Sequence, residues 1–344
     1  MIRIRLYLMA AGLMLSTAAF AHTTQEGAKP SMTGELAQVL TPPDSVKAIV
    51  LPKTTWCFAH RDTCDLFLDI YRPAGDAAVM LDGKPKPTIL FVFGGGFISG
   101  RRDDPSHNRW FKILTDNGYG VVSVDYRLGL KGVDMRFDLF HLIESARYTK
   151  RAVDIGVEDV FTAIAFLAAH RDELGIDTDN LVISGSSAGA MISLSCALET
   201  CSPTERTALL PEGFAFRGVM SFAGAIMSDS GTPVYGVAPP PQLLFHGIED
   251  KIVNYDKMGF GRWGMYGSKF LVDKVFAPNG YAYSVYRYVG HTHDLAANFV
   301  PTWDLQKRFL EHCVIGGEAV VIDATVDDPA MPLWKNFSLT DLYK

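Results

Sequence analysis

The stretch that decides the fold is Asn180-Leu-Val-Ile-Ser-Gly-Ser-Ser-Ala-Gly-Ala190, in which an apolar run stops at Gly185-Ser-Ser-Ala-Gly189. This pentapeptide has the pattern G-x-S-x-G, which is typical of a strand that turns sharply into a helix. Its glycines leave room for strand and helix to pass, and the strained corner holds the Ser187 hydroxyl at a helix N-terminus. Ser187 is therefore a candidate nucleophile, and an ordinary Gly/Ser turn is the structural alternative.

A candidate acid follows the next buried run downstream. A serine hydroxyl is a weak nucleophile unless a base takes its proton, and an imidazole oriented by a carboxylate does this well. The run from Gln242 to Phe245 continues into His-Gly-Ile-Glu-Asp250, where a strand would end. We predict Asp250 as the acid, with Glu249 as the fallback. A turn or helix N-cap aspartate is the structural alternative.

Two histidines follow a further strand-like run, in Tyr288-Val-Gly-His-Thr-His293. On the residues alone, either His291 or His293 could serve as the base for Ser187. An H-x-H metal site is the other interpretation, but no second cluster of acids or histidines with suitable spacing supports it.

Three glycines, Gly94-Gly-Gly96, end the apolar run that begins at Pro87. Glycine lets backbone N–H groups approach a substrate closely, and such donors stabilise the negative charge that develops on a carbonyl oxygen. Gly95 and Gly96, with the N–H of Ala188, are the predicted oxyanion-hole donors. A phosphate-binding loop is the competing interpretation, but the chain has neither the P-loop lysine nor the G-x-G-x-x-G spacing.

Strand-like and helical patterns alternate along the chain, which predicts an α/β fold: a mostly parallel central sheet with helices on both faces. The predicted strands are 46–53, 65–71, 87–93, 119–126, 181–184, 216–222, 242–245 and 281–289. The predicted helices are one capped by Ser106 and ending at residue 117, two within 137–174 divided at Ile155-Gly156, 188–198 and 301–314. The glycine-rich segments 227–239 and 256–267 predict pocket or lid loops, with Trp263, Met265 and Tyr266 as candidate lining residues.

The chain has 344 residues, is 48% apolar and carries a formal net charge of −6. Two arginines, an apolar run and Ala19-Phe-Ala21 predict a signal peptide over 1–21, with a retained membrane anchor as the alternative. After it we predict a poorly ordered lead-in over residues 22–45 and a single domain over residues 46–344. The mildly acidic balance argues against nucleic acid and anionic membranes as partners, and no stable membrane insertion is expected.

Five cysteines in an exported chain permit disulfides. Cys57 and Cys64 are the first predicted pair. Cys196 and Cys201 could form a second if their helix stops before Cys201, and Cys313 is predicted to be a buried free thiol. None of the spacings suits zinc.

The ordered set of a strand with a GGG loop, a G-x-S-A-G elbow, a strand-H-G-x-x-D turn and a strand-G-x-x-H turn resembles an α/β-hydrolase of the carboxylesterase and lipase type. The resemblance covers most of residues 46–314. The family order Ser, Asp, His implies Ser187, Asp250 and His293 here, and the family's tyrosine-x-Gly-x-x-His ending favours His293, with His291 as second choice.

The chain departs from the family pattern at the oxyanion loop, which usually begins HGGG. Phe93 replaces that histidine. The resemblance therefore implies that packing or another side chain supports the loop. A cap insertion is expected over residues 128–151.

The resemblance implies a secreted or periplasmic serine carboxylesterase that forms an acyl-enzyme and needs no cofactor or metal. Its substrate would be a small-molecule or carbohydrate-linked ester, and acetyl, feruloyl, lipid and xenobiotic esters all remain open. Oligomeric state is equally open. The alternatives are a peptidase like the catalytic domain of prolyl oligopeptidases, which usually carry a large further domain, and a non-catalytic binding protein on a hydrolase scaffold.

Overall fold

A computed structural model describes residues 49–136 and 141–333, so the predicted signal peptide and lead-in lie outside the described residues. Within these ranges the strands are, in chain order, β1 (Thr54–His60), β2 (Asp65–Tyr71), β3 (Met80–Leu81), β4 (Lys84–Pro85), β5 (Thr88–Val92), β6 (Val121–Val124), β7 (Leu181–Ser186), β8 (Gly218–Phe222), β9 (Ala225–Ser228), β10 (Gln242–Gly247), β11 (Lys257–Phe260), β12 (Trp263–Gly267), β13 (Tyr283–Tyr288) and β14 (Val321–Val326).

The α-helices of the same ranges are α1 (Asn108–Asp116), α2 (Leu142–Ala169), α3 (Arg171–Leu174), α4 (Ala188–Cys201), α5 (Ser268–Leu271) and α6 (Trp303–Arg308). Short π-helical segments follow α5 and α6, over Val272–Phe276 and Phe309–Ile315. In the described ranges, no helix has both the length and the apolar character that crossing a bilayer requires.

The largest sheet has nine strands in the order β1-β2-β6-β5-β7-β8-β10-β13-β14. From β6 to β14 all neighbouring strands are parallel, whereas β2 pairs in antiparallel fashion with both β1 and β6. Ile89 to Val92 of β5 are all fully buried, and successive side chains of a strand point to opposite faces, so both faces of the sheet are covered. The mostly parallel α/β architecture is therefore confirmed.

This topology brings the motif-bearing strand ends together. The predicted oxyanion glycines follow β5, the serine elbow follows β7, the predicted acid follows β10 and the two candidate histidines follow β13. In a parallel sheet these carboxyl ends lie at one edge, where α/β folds bind ligands. The neighbours β5 and β7, and likewise β10 and β13, are directly paired, and β8 alone lies between these two pairs.

Both ends of the central sheet differ from the prediction. The first strand is β1 at Thr54–His60, whereas residues 49–53 are irregular; Pro52 has no N–H to give to a strand ladder. At the other edge β14 pairs with β13 and was not predicted. Its side chains are only exposed or half-buried, so it lacks the apolar run that marks a central strand.

Two predictions about helices were wrong. Helix α2 runs unbroken through Ile155-Gly156, because the glycine is a packing site: a Cβ on Gly156 would lie 2.4 Å from Cδ1 of Ile192 on α4. Asp104, and not Ser106, caps the turn before α1, where its side chain accepts the Ser106 N–H at 2.9 Å.

A second, three-stranded antiparallel sheet in the order β11-β12-β9 includes most of segment 256–267 and the first two residues of segment 227–239, both of which were predicted as loops. Met265 of β12 lies opposite Met227 of β9. The glycines here allow close backbone approach, since a Cβ on Gly267 would lie 1.9 Å from the Asn254 carbonyl oxygen. Both segments contribute to the cavity described below; the loop conformation predicted for 256–267 was wrong, whereas residues 229–239 form no strand or helix.

The predicted disulfides are absent, and all five cysteines are free thiols. Cys57 pairs with Phe67 in the β1–β2 ladder, while Cys64 lies opposite Arg61. This offset of roughly 10 Å along the strands exceeds the reach of a disulfide. Cys196 and Cys201 both lie within α4, about 140° apart around its axis. Cys313 is buried and free, as predicted.

Candidate active site

Ser187 stands at a strained corner between β7 and α4. Its φ of 52° lies in the left-handed region, which non-glycine residues rarely adopt. The flanking glycines are required by close packing: a Cβ on Gly185 would lie 2.3 Å from the Gly189 carbonyl oxygen, and one on Gly189 would lie 2.0 Å from that of Val92. The elbow therefore has the tight geometry that the pentapeptide predicts.

The structure brings Ser187, His293 and Asp250 into one hydrogen-bonded chain. The Ser187 hydroxyl lies 2.7 Å from Nε2 of His293, and Nδ1 of the same ring lies 2.8 Å from Oδ2 of Asp250. Because a carboxylate can only accept, Nδ1 carries the hydrogen and Nε2 is left to accept the serine proton. This is the arrangement that a general base needs.

Asp250 is buried and held by several donors. Its Oδ1 accepts the N–H groups of Ile252 and Val253 at 2.9 and 3.1 Å. Burial by itself would raise the pKa of Asp250, but the charge of His293 and hydrogen bonds from His246 and His293 outweigh it and lower the pKa well below its ordinary value. The carboxylate is therefore kept ionised. The fallback acid, Glu249, is exposed, and none of its described hydrogen bonds joins it to His293.

The second candidate base has a different partner. His291 is buried, and its Nδ1 lies 2.5 Å from Oδ2 of Asp294, three residues later. Oδ1 of Asp294 accepts the Thr292 N–H at 2.7 Å. His291 thus belongs to a local cluster that shapes the turn carrying His293. In the described part of the chain, no group of three His, Cys, Asp or Glu side chains is arranged to hold a metal ion.

The oxyanion loop is supported from Tyr126, beyond the end of β6. The ring of Phe93, which replaces the family's histidine, stacks on Tyr126 with centroids 4.5 Å apart. The Tyr126 hydroxyl donates to the Phe93 carbonyl at 3.0 Å. Both packing and a hydrogen bond thus come from one side chain, which sequence reasoning did not single out.

Of the three predicted oxyanion donors, Gly96 and Ala188 line the cavity beside Ser187, whereas Gly95 does not. Ala188 is the first residue of α4, so its N–H has no acceptor within the helix. The Gly95 carbonyl accepts the N–H groups of Ile98 and Ser99, which fixes the loop after the glycines. The donor roles of Gly95, Gly96 and Ala188 all stay predictions.

A cavity of about 350 Å³ opens beside Ser187. Its walls come from the oxyanion loop, the first turns of α2 and α4, and the small β11-β12-β9 sheet. Of the three candidate lining residues, Trp263 and Met265 do line it, whereas Tyr266 is fully buried behind them. The described part of the expected cap insertion contributes the α2 residues Leu142, Ile143, Ser145, Ala146 and Thr149.

His246 is a further residue of the site to which sequence reasoning gave no role. It lies fully buried on β10, with Nε2 2.9 Å from the Val253 carbonyl and 3.3 Å from Oδ2 of Asp250. The Ser268 hydroxyl meets its Nδ1 at 2.8 Å. The sequence did contain an indication of such a role, because a histidine inside an otherwise apolar strand must find buried hydrogen-bond partners.

Relatives with known names share parts of this chain. An acetyl esterase of Salmonella paratyphi B is 29% identical over 131 residues, and one of Salmonella agona matches equally; the match covers 37% of this chain and only 34% of each relative. A solved esterase of Thermogutta terrifontis with bound propionate has a TM-score of 0.54 at 21% identity, covering 76% of this chain and 94% of that one. Esterase 2 of the same organism, phosphoramylated by tabun, has a TM-score of 0.53.

These solved structures share the fold, which agrees with the sheet and elbow described above. The model of the carboxylesterase family matches residues 50–228, more than half of the chain. The protein therefore belongs to the carboxylesterase family of the α/β-hydrolase superfamily.

Proposed function

We propose that this protein is a serine carboxylesterase that hydrolyses esters through an acyl-enzyme at Ser187. The observation that carries the proposal is the hydrogen-bonded chain from Ser187 through His293 to Asp250, placed at the mouth of a cavity. Family membership supports it, as do the relatives named acetyl esterase and esterase.

In the first half of the reaction, Ser187 Oγ attacks the ester carbonyl carbon while its proton passes to Nε2 of His293. The negative charge that develops on the carbonyl oxygen is stabilised by backbone N–H groups, for which we propose Ala188 and Gly96 with Gly95. The imidazolium, steadied by Asp250, returns the proton to the departing alkoxide, which leaves as the alcohol.

In the second half, water replaces the alcohol. His293 takes a proton from the water as it attacks the acyl carbon, and then returns a proton to Ser187 Oγ as the carboxylic acid leaves. The buried and ionised Asp250 keeps the same tautomer of His293 through both halves. The cycle needs no group beyond these side chains and backbone amides.

An organophosphorus ester tests the nucleophile directly, because it transfers a phosphoryl group to an activated serine and stops there. We expect one diethylphosphoryl group per molecule after treatment with paraoxon, located by peptide mass spectrometry on Ser187, with p-nitrophenyl butyrate hydrolysis lost in parallel. Ser187→Ala should take up no label. Labelling at another residue, or labelling that leaves hydrolysis intact, would contradict the proposal.

We also propose that the protein is exported, to the periplasm or the medium, by the signal peptide over residues 1–21. The arginines at the start, the apolar run and Ala19-Phe-Ala21 support this. We expect the protein recovered from those fractions to begin at His22 by intact-mass measurement. Recovery of a chain that still begins at Met1 would count against export by cleavage.

A further inference from the structure

The chemistry of the cavity at Ser187 bears on which ester the site takes. None of the described residues that line it carries a charge, and among them only Ser145, Thr149, Ser187 itself and, through its indole N–H, Trp263 have polar side-chain atoms. A sugar ring held in this space would find few hydrogen-bond partners for its hydroxyl groups, which would then be buried at a cost. The lining favours an apolar occupant.

Methionine is unusually frequent in the wall. Met191, Met227, Met258 and Met265 all line the cavity. Unbranched thioether side chains adapt to occupants of different shape, and they are common where a site accepts a class of apolar ligands. The wall thus suits flexible hydrocarbon chains better than one rigid group.

The volume sets the size of the occupant. At roughly 30 Å³ per heavy atom, the space that a water molecule takes in the liquid, a cavity of about 350 Å³ holds on the order of a dozen atoms. An acetyl group would fill only a small part and leave the apolar wall in contact with water. A longer acyl chain would displace that water.

Large apolar side chains also surround the opening of the cavity. Leu142 and Ile143, at the start of α2, are 48% and 51% exposed; Met258 and Phe260, on β11, are 43% and 83% exposed, and all four line the cavity. Exposed apolar side chains gathered at one opening are typical of a ligand site. A chain longer than the cavity could therefore continue along this rim.

Contacts within the chain hold the walls of the cavity in place. Trp263 lies on β12, in the hairpin with β11, and the guanidinium of Arg147 on α2 lies 5.9 Å above its ring centroid. The other edge of β12 is paired with β9, which brings Met265 opposite Met227. Helix α2 and the small sheet therefore form a preformed slot, which lowers the ordering cost of binding.

We propose that the site prefers esters whose acyl group is an unbranched apolar chain of about six to ten carbons over acetyl esters. The chain lies between the start of α2 and the β11–β12 hairpin, with its carbonyl carbon at Ser187 and the alcohol directed to solvent. This inference rests on the proposed esterase function. It specifies the acyl group of the ester, which the cavity would hold, and leaves the alcohol group unspecified.

The test is a series of p-nitrophenyl esters, from acetate through butyrate and octanoate to laurate, kept below the concentrations at which they aggregate. Because each buried methylene contributes up to about fourfold, we expect kcat/KM to be at least tenfold higher for octanoate than for acetate. An optimum at acetate, with activity still dependent on Ser187, would overturn the inference and leave the esterase function standing. No hydrolysis of any ester, or full activity in Ser187→Ala, would overturn the function itself.

Two variants test where the chain lies. Ala146→Phe, on the α2 wall, should lower kcat/KM for octanoate at least tenfold and change that for acetate less than threefold. Ala169→Phe, exposed at the far end of the same helix, is the matched control and should keep the full preference. If Ala146→Phe fails to fold, Met258→Ser at the exposed rim gives the same contrast, with an expected loss of about threefold for octanoate alone. Chain-length profiles unchanged in the folded variants would show that the acyl group lies elsewhere.

Discussion

Replacing Ser187 with alanine should lower kcat/KM for p-nitrophenyl butyrate by about 10⁵-fold. The alanine variant keeps the cavity, the backbone N–H groups and the imidazole, but it has no atom that can form the acyl-enzyme. The loss should lie in kcat, because the cavity that holds the ester is untouched. Initial rates at saturating and subsaturating ester separate the two constants, and the background rate of ester hydrolysis sets the floor.

The matched control is another serine on the helix that follows the elbow. Ser195 is buried in α4, and its hydroxyl has no hydrogen-bond partner among the described residues. Ser195→Ala should therefore keep wild-type kcat and KM. Activity that survives in Ser187→Ala would remove the nucleophile from the proposed mechanism, whatever the control shows.

The sequence predicted that residues at four strand ends would lie close together, and the reason that they do is topological. The sheet edge is shared, so Gly96 after β5 and Ser187 after β7 line one cavity, and His293 links Ser187 to Asp250 after β10, although 154 positions separate Gly96 from Asp250. Each signal was local: a buried apolar run, then small or polar residues. A parallel sheet then supplies the long-range proximity without further information.

The sequence could not decide between two physical reasons for the same residue type, since a glycine can either end an element or allow close packing. Gly156 was taken as a helix break, yet it lies in α2 because Ile192 leaves no room for a side chain. The glycines of segment 256–267 were taken as part of a loop, yet Gly267 ends β12 and lets the backbone of Asn254 approach closely. Both deciding contacts are tertiary ones, from α4 to α2 and from the turn after β10 to the end of β12, and a local pattern of residue types does not encode them.

Supporting residues of the site were missed for a related reason. Tyr126 steadies the oxyanion loop by stacking on Phe93, and His246 adds a contact to the buried Asp250. Tyr126 acts through Phe93, beyond the end of the neighbouring strand β5, and His246 acts through Asp250, beyond the end of its own strand β10, so neither is one of the residues that the order of nucleophile, acid and base predicts. Cysteine pairing failed similarly, since the register of β1 against β2 decides it and one residue of shift alters every partner.

The second large effect separates the two histidines. His293→Ala should lower kcat/KM for p-nitrophenyl butyrate by about 10⁴-fold or more, because Ser187 then has no base, and added imidazole should restore part of the rate. His291→Ala should keep kcat in the folded fraction within about threefold of wild type but lower the thermal midpoint, because it leaves the buried Asp294 without one partner. Kinetics and thermal unfolding of both variants make the comparison.

The pH dependence of kcat/KM tests independently whether an imidazole, here His293, is the base. An imidazole can accept the serine proton only when neutral, so wild-type kcat/KM should fall as the solution becomes acidic. Because the pKa of Asp250 is held below its ordinary value, the carboxylate remains ionised over that range, and the fall reports the imidazole alone. A rate that stays constant down to about pH 4 would contradict an imidazole base. Loss of kcat in His291→Ala with full kcat in His293→Ala would instead transfer the role of base to His291, and would require the turn after β13 to rearrange so that this ring leaves Asp294 for Ser187.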